Sequence, residues 1–136
     1  MNPLLQSLRR RLGSLSRGDL GPAGERAAEY YLKEKGFRIL ERNFRVRGGE
    51  IDLIGEGEGR IVAFEVKTRR SGAYGTAAEA VTAAKAKRLR FAAMAYMRRH
   101  GYPPDRLRID VVAIEERNGR FEIRHYPSAV GAGDRH

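Results

Sequence analysis

The chain of 136 residues has no cysteine, which excludes disulfide staples, thiolate zinc sites and a cysteine nucleophile together. At that length one domain can bury a core unaided, and 41% hydrophobic against 32% charged residues exclude disorder along the whole chain. A formal net charge of +10 sets up a positive field suited to polyanions, nucleic acid first among them, although a merely basic soluble surface has the same composition.

The opening MNPLLQSLRRRLGSLSRGDLG holds no apolar run long enough for a signal peptide or membrane span, so a cytoplasmic protein is expected. Leu5, Leu8, Leu12 and Leu15 recur at helical spacing beside Arg9, Arg10 and Arg11. Residues 1–21 therefore read as a basic leader, either a short amphipathic helix or a frayed end. Pro22 suits a first helical turn and Gly36 the position just past a last one, which predicts a helix over 22–35. A strand from Phe37 to Val46, a tight turn at Gly48-Gly49 and a strand from Glu50 to Ile54 follow as a hairpin. Beyond the Gly55–Gly59 loop, Ile61, Val62, Phe64 and Val66 mark a well-buried third strand.

A long helix ends near Arg99. Thr76 and Glu79 have capping-box spacing, and Thr82 offers a second start. Leu107 to Ile114 and Arg120 to Tyr126 read as two strands joined across Asn118-Gly119. The order α-β-β-β-α-β-β predicts an α/β fold with a mixed central β-sheet flanked by helices, spanning residues 22–126, with a loose tail at 127–136. Tyr30, Tyr31, Phe91 and Tyr96 fall at helical spacings that suit core packing rather than a base-stacking platform.

His100, His125 and His136 lack ligand-like spacing, so oxygen donors and a hard cation are the natural metal chemistry. Alternation puts Glu50 and Asp52 on one face of a strand, and Glu65 and Lys67 on one face of the next. If Gly55 pairs with Arg60, Asp52 lies opposite Ala63 and diagonal to Glu65 at roughly 7 to 8 Å, within reach of a shared divalent cation. A slip of one residue would separate them. Such a cation would polarise a phosphodiester and activate water, with Lys67 orienting that water, stabilising charge or acting as base. The competing reading of the same residues is a salt-bridge ladder with exposed strand carboxylates opposite arginines.

The segment G-E-I-D-L-I at 49–54 followed by F-E-V-K-T-R at 64–69 resembles the PD-(D/E)xK nuclease signature of the YraN-like bacterial proteins, which have a restriction-endonuclease-like fold and are similar to Holliday junction resolvases. The resemblance extends through G-E-R-A-A-E-Y-Y-L at 24–32, V-T-A-A-K at 81–85 and R-I-D-V-V at 108–112. It implies a Mg2+- or Mn2+-dependent endonuclease acting on DNA, branched or structured DNA included. Asp52, Glu65, Lys67 and Glu25 would be its catalytic residues, and Asp52, Glu65, Glu25 and Val66 its metal set. Pairing of two subunits is also compatible with it. The sequence departs from the signature in having Ile51 rather than proline before Asp52, and its tail P-S-A-V-G-A-G lacks an aromatic ending.

Around the motif, Lys85 with Arg88 three residues on, and Thr68 with Arg69, are positioned to contact a nucleic-acid backbone; solvated helix and strand faces are the alternative. Arg69 shares the Glu65 and Lys67 face by alternation. Glu25 in a first helical turn is favoured by the helix dipole whether or not it meets metal. Glu50 is either a further ligand or the partner of an arginine at the rim. Asp110, among Ile109, Val111 and Val112, calls for a cationic partner and reads as structural. Two other functions fit parts of the pattern: a non-catalytic nucleic-acid-binding protein on the nuclease scaffold, indifferent to loss of Asp52, and an adaptor that uses the basic leader.

Overall fold

The computed structural model describes residues 6, 17–69, 81–118 and 120–131. The elements are α1 (Arg17–Glu34), β1 (Arg38–Val46), β2 (Gly49–Gly57), β3 (Arg60–Arg69), α2 (Ala83–His100), a 3-10 turn at Pro104–Arg106, β4 (Leu107–Arg117) and β5 (Arg120–Val130). This is the expected order, α-β-β-β-α-β-β, and the strands form one mixed sheet in the order β1-β2-β3-β4-β5. β3 pairs with β4 in parallel, because the connection between them runs through α2 rather than a hairpin.

The apolar run Ile61–Phe64 is continuous because β3 is covered on both sides. Val62 and Phe64 pack with Ala23, Ala27, Ala28 and Leu32 of α1, whereas Ile61 and Ala63 pack with Leu89, Ala92, Ala93, Tyr96 and Met97 of α2. Both helices end on a glycine in the left-handed region, Gly36 at φ 100° and Gly101 at φ 73°. In each, the next residue's N–H reaches back to an orphan carbonyl: Phe37 to Leu32 at 3.0 Å and Tyr102 to Met97 at 2.9 Å. Phe91 and Tyr30 depart from the core packing expected of them, at 51% and 38% exposure. The buried stripe of α2 runs 89, 92, 93, 96, 97, so Tyr96 lies inside it and Phe91 one position outside.

The start of α1 and the end of β5 differ from the periodicity reading. α1 begins at Arg17, with Pro22 inside it rather than at its start. The leader's leucines and arginines up to residue 16, and the Thr76–Glu79 spacing, lie outside the described residues. Thr82 caps α2, its hydroxyl accepting from Lys85 N–H at 3.1 Å. β5 runs four residues past Tyr126 to Val130, which pairs with Ile109; the interruption between these pairings is a bulge with Ser128 at φ 53°. The hairpin at Asn118 is as expected, with Arg117 paired to Arg120.

Asp110 fills that bulge. Fully buried, it accepts Arg108 Nε and Nη2 at 2.9 and 2.8 Å, Ser128 N–H at 2.9 Å and His125 Nε2 at 2.6 Å. Lys35 Nζ can only donate and lies 2.7 Å from His125 Nδ1, which makes Nδ1 the acceptor and Nε2–H the donor to Asp110. Burial pushes the Asp110 carboxyl upward, but the hydrogen bonds from His125, Arg108 and Ser128 outweigh it and hold the group below its ordinary value. The cationic partner the sequence called for is Arg108.

Two predictions follow from packing and charge. A Cβ on Gly49 would stand 2.4 Å from the main-chain oxygen of Arg88, so Gly49→Ala should destabilise by about 1 to 3 kcal/mol. Gly21→Ala, in a helix with nothing beyond its chain neighbours within 4 Å, should change stability by less than about 1 kcal/mol, because the gain in helix propensity is offset by the Pro22 ring against the new Cβ; thermal denaturation of both variants checks the contrast. Asp110→Ala should cost about 3 to 5 kcal/mol at neutral pH, because it leaves the mostly buried Arg108 with Glu58 at 3.4 Å and removes the acceptor of the buried His125 and of Ser128 N–H. Since the folded carboxyl titrates below its unfolded value, the stabilisation is complete above about pH 4 and is lost as pH falls through the folded value. Urea denaturation across pH should show the gap between wild type and variant closing only in that acid range.

Candidate active site

The paired register of β2 and β3 runs from Gly57↔Arg60 to Leu53↔Phe64. This is two residues away from the expected pairing of Gly55 with Arg60. The loop is a two-residue turn with both Glu58 and Gly59 at positive φ, 56° and 75°. A shift of two keeps every side chain on its face and brings Asp52 from a diagonal position to the place across from Glu65. The pairing stops at that point. The Asp52 carboxylate accepts Val66 N–H at 2.8 Å, and backbone N–H groups lie in the plane of a sheet, so Asp52 sits in a fork where β2 leaves β3. A strand residue's N–H and C=O face the same neighbour, which turns the Val66 carbonyl toward the fork as well; Val66 has only main-chain atoms to offer a cation.

Glu65 is buried at 4% exposure, with its carboxyl in hydrogen-bond contact with Asp52. Burial, then the charge of Asp52 and the hydrogen bond between them, raise its pKa to about 7, against the opposing pull of Lys85. Near neutrality Glu65 is therefore partly protonated, where an exposed carboxyl would be ionised. Lys85 Nζ lies 3.4 Å from Glu65 Oε2. One residue thus does two things: its main-chain N–H is capped by Thr82, and its side chain lies on the buried acid.

Lys67 and Arg69 share the Glu65 face of β3, the face covered by α2, since parallel pairing with β4 is unbroken from Ile61 to Arg69. Lys67 is half-buried and makes no ion pair with a described residue. Thr68 is on the other face, under α1, where a Cβ on Gly24 would meet its hydroxyl at 2.3 Å. It is separated from the basic residues with which the sequence grouped it. Glu25, next along α1, is raised by partial burial and by the charges of Asp52 and Glu50, with Arg45 opposing. Glu50 takes the second of its two readings, paired with Arg45 Nε at 2.6 Å. Arg88 is exposed on α2.

The structure therefore brings Asp52, Glu65 and Lys85 together, sets Glu25 beside them and places Lys67 on the adjoining stretch of β3. Among the described residues no three acidic or imidazole side chains converge as a ready ligand set, so Asp52 and Glu65 are a pair with Glu25 outside it. The arginine expected beside Glu50 is Arg45, its direct partner in the hairpin register. The Lys85–Glu65 contact escaped the sequence reading, because it joins residues whose proximity depends on how α2 lies on the sheet. Among the described residues no helix is long and apolar enough to cross a membrane.

A family model described as Uncharacterised protein family UPF0102 matches residues 24–114, a span that includes Glu25, Asp52, Glu65, Lys67 and Lys85. A UPF0102 protein of Symbiobacterium thermophilum is 48% identical over 114 residues, covering 83% of this chain and 97% of that protein. One from Syntrophomonas wolfei is 43% identical over 111 residues, 82% of this chain and 96% of that protein. One from Rhodococcus opacus is 48% identical over 111 residues, 81% and 94% respectively. The chain belongs to the UPF0102, or YraN, family of the PD-(D/E)xK nuclease superfamily.

Proposed function

We propose that this chain is a divalent-metal-dependent endonuclease that hydrolyses DNA phosphodiester bonds at the fork between β2 and β3. The observation that carries the reading is the meeting of Asp52 and the buried Glu65 at the fork, where Val66 N–H anchors the Asp52 carboxylate at 2.8 Å and burial, then the charge of Asp52, raise the Glu65 carboxyl against the pull of Lys85. Mg2+ or Mn2+ fits this donor set: a small hard cation takes one or two protein carboxylates, keeps several waters and needs no full protein cage. Asp52 and Glu65 would hold it, with the Val66 carbonyl turned to the same fork and Glu25 close enough for its charge to be felt by theirs. When bound, the cation supplies Lewis-acid polarisation of the phosphodiester and a water of lowered pKa.

The chain's own residues supply the rest. Lys67, without an ionic partner among the described residues, is available to orient the attacking water and to balance charge that develops on the phosphate. Lys85, now 3.4 Å from Glu65, would be available to a phosphate oxygen if a cation balanced that acid instead. Arg69 and Arg88 extend the cationic surface on the α2 side.

Cleavage of single-stranded, duplex and four-way-junction DNA should require Mg2+ or Mn2+ and should fall by at least about a hundredfold in both Asp52→Ala and Lys67→Ala. DNA binding without cleavage, unchanged by either substitution, would assign the chain to non-catalytic binding. A second test needs no activity. A carboxyl whose folded pKa is above its unfolded value costs stability once ionised, so the penalty is present above about pH 7 and vanishes below its ordinary range near 4.5. Glu65→Gln should therefore melt a few degrees higher than wild type at pH 8 and no higher at pH 4. Mg2+ should raise the melting temperature of wild type and leave that of Glu65→Gln nearly unchanged.

A further inference from the structure

α2 carries one large hydrophobic side chain exposed outside the core. Phe91 is 51% exposed, outside the buried stripe, with its ring lying over Gly48 at the tip of the β1–β2 hairpin, 3.4 Å from where a Cβ would be. α2 carries six Lys and Arg residues and no acid, and Arg47 is exposed in the adjoining hairpin turn. Neither Arg47, Lys87 nor Arg88 makes an ion pair with a described residue.

Lys85, Arg88 and Phe91 follow at i, i+3 and i+6, a single ridge that starts on Glu65 and ends on the hairpin tip. Six residues of helix span about 9 Å, which is two to three stacked nucleotides at roughly 3.4 Å each. An exposed phenyl ring has no polar group to offer a phosphate, but it matches the face of a base. In a paired duplex the base faces are already occupied by their neighbours, so a ring can take only a base that is unpaired or splayed out. The charge on α2 disfavours a second copy of itself as the occupant and favours a polyanion.

We infer that Phe91, flanked by Arg47 and Arg88, is a stacking platform for an unpaired nucleotide two to three positions from the phosphate at the acidic pair. The preferred ligand is therefore nucleic acid with unpaired bases rather than continuous duplex. This rests on the nuclease reading for the phosphate's position, and the test separates the two because it measures binding in EDTA, where nothing is cleaved.

Fluorescence anisotropy of the full chain at fixed salt would compare a paired DNA duplex, the same duplex interrupted by unpaired nucleotides, and a single strand. Wild type should bind the interrupted duplex and the single strand more tightly than the paired one. Phe91→Ala should lose between about fivefold and a hundredfold on those two ligands and little on the duplex, and Phe91→Trp should keep the preference. Thermal melts would confirm that both variants remain folded. Equal binding of unpaired DNA by wild type and Phe91→Ala overturns the proposal, as does a wild type that does not discriminate between the ligands. A Phe91→Ala variant that changes only the sedimentation behaviour would assign the ring to self-association and overturn it equally.

Discussion

The hydrogen bond from Val66 N–H to the Asp52 carboxylate is the contact on which the candidate site depends. A main-chain donor facing a neighbouring strand must be paired, and here a side chain takes the place of the strand's carbonyl. The ladder can then end without leaving a buried donor unsatisfied, and the carboxylate is held within hydrogen-bond contact of Glu65. Asp110 does the same at the β4–β5 bulge, where Ser128 supplies the N–H. The outcomes differ because of the surroundings. Asp110 is closed in by Arg108 and His125 and is neutralised, whereas Asp52 meets a second acid, Glu65, which among the described residues has Lys85 as its ion-pair partner.

The second constraint is how closely the helices approach. Gly24 of α1 and Gly49 of β2 each stand where a side chain would collide, with Thr68 in one case and with the α2 main chain in the other. These contacts bring Glu25 to one side of the fork and Lys85 to the other. The electrostatics of the site is thus set by residues with no charge of their own: two glycines and the threonine that caps α2.

Much of this was legible in the sequence, for identifiable reasons. The unbroken apolar run at Ile61–Phe64 marked the central strand, Asn118-Gly119 a hairpin, and the alternation of Glu65, Lys67 and Arg69 their common face. Asp52 came to that site despite a wrong loop, because an error of two residues in register leaves faces unchanged. The loop itself was obscured by Glu58, a residue type not expected at positive φ. The β5 continuation was hidden by Pro127 and the bulge after it, where neither alternation nor apolar run persists. The exposure of Phe91 depends on a shift of one position around α2, which composition does not reveal, and the Lys85–Glu65 contact depends on tertiary packing.

The irregularities of the outer strands bear on how the sheet ends. β1 and β5 are its edges, and an edge strand offers unpaired amides and carbonyls that can template another strand. β1 is broken by a bulge between Ile39 and Glu41 and by Asn43 at φ 51°, and β5 by Pro127 and the left-handed Ser128. Neither edge presents a long, straight row of hydrogen-bonding groups, which discourages the sheet from growing past five strands by recruiting a neighbouring molecule. For a chain that keeps an open fork in its middle, blunted margins direct strand pairing inward.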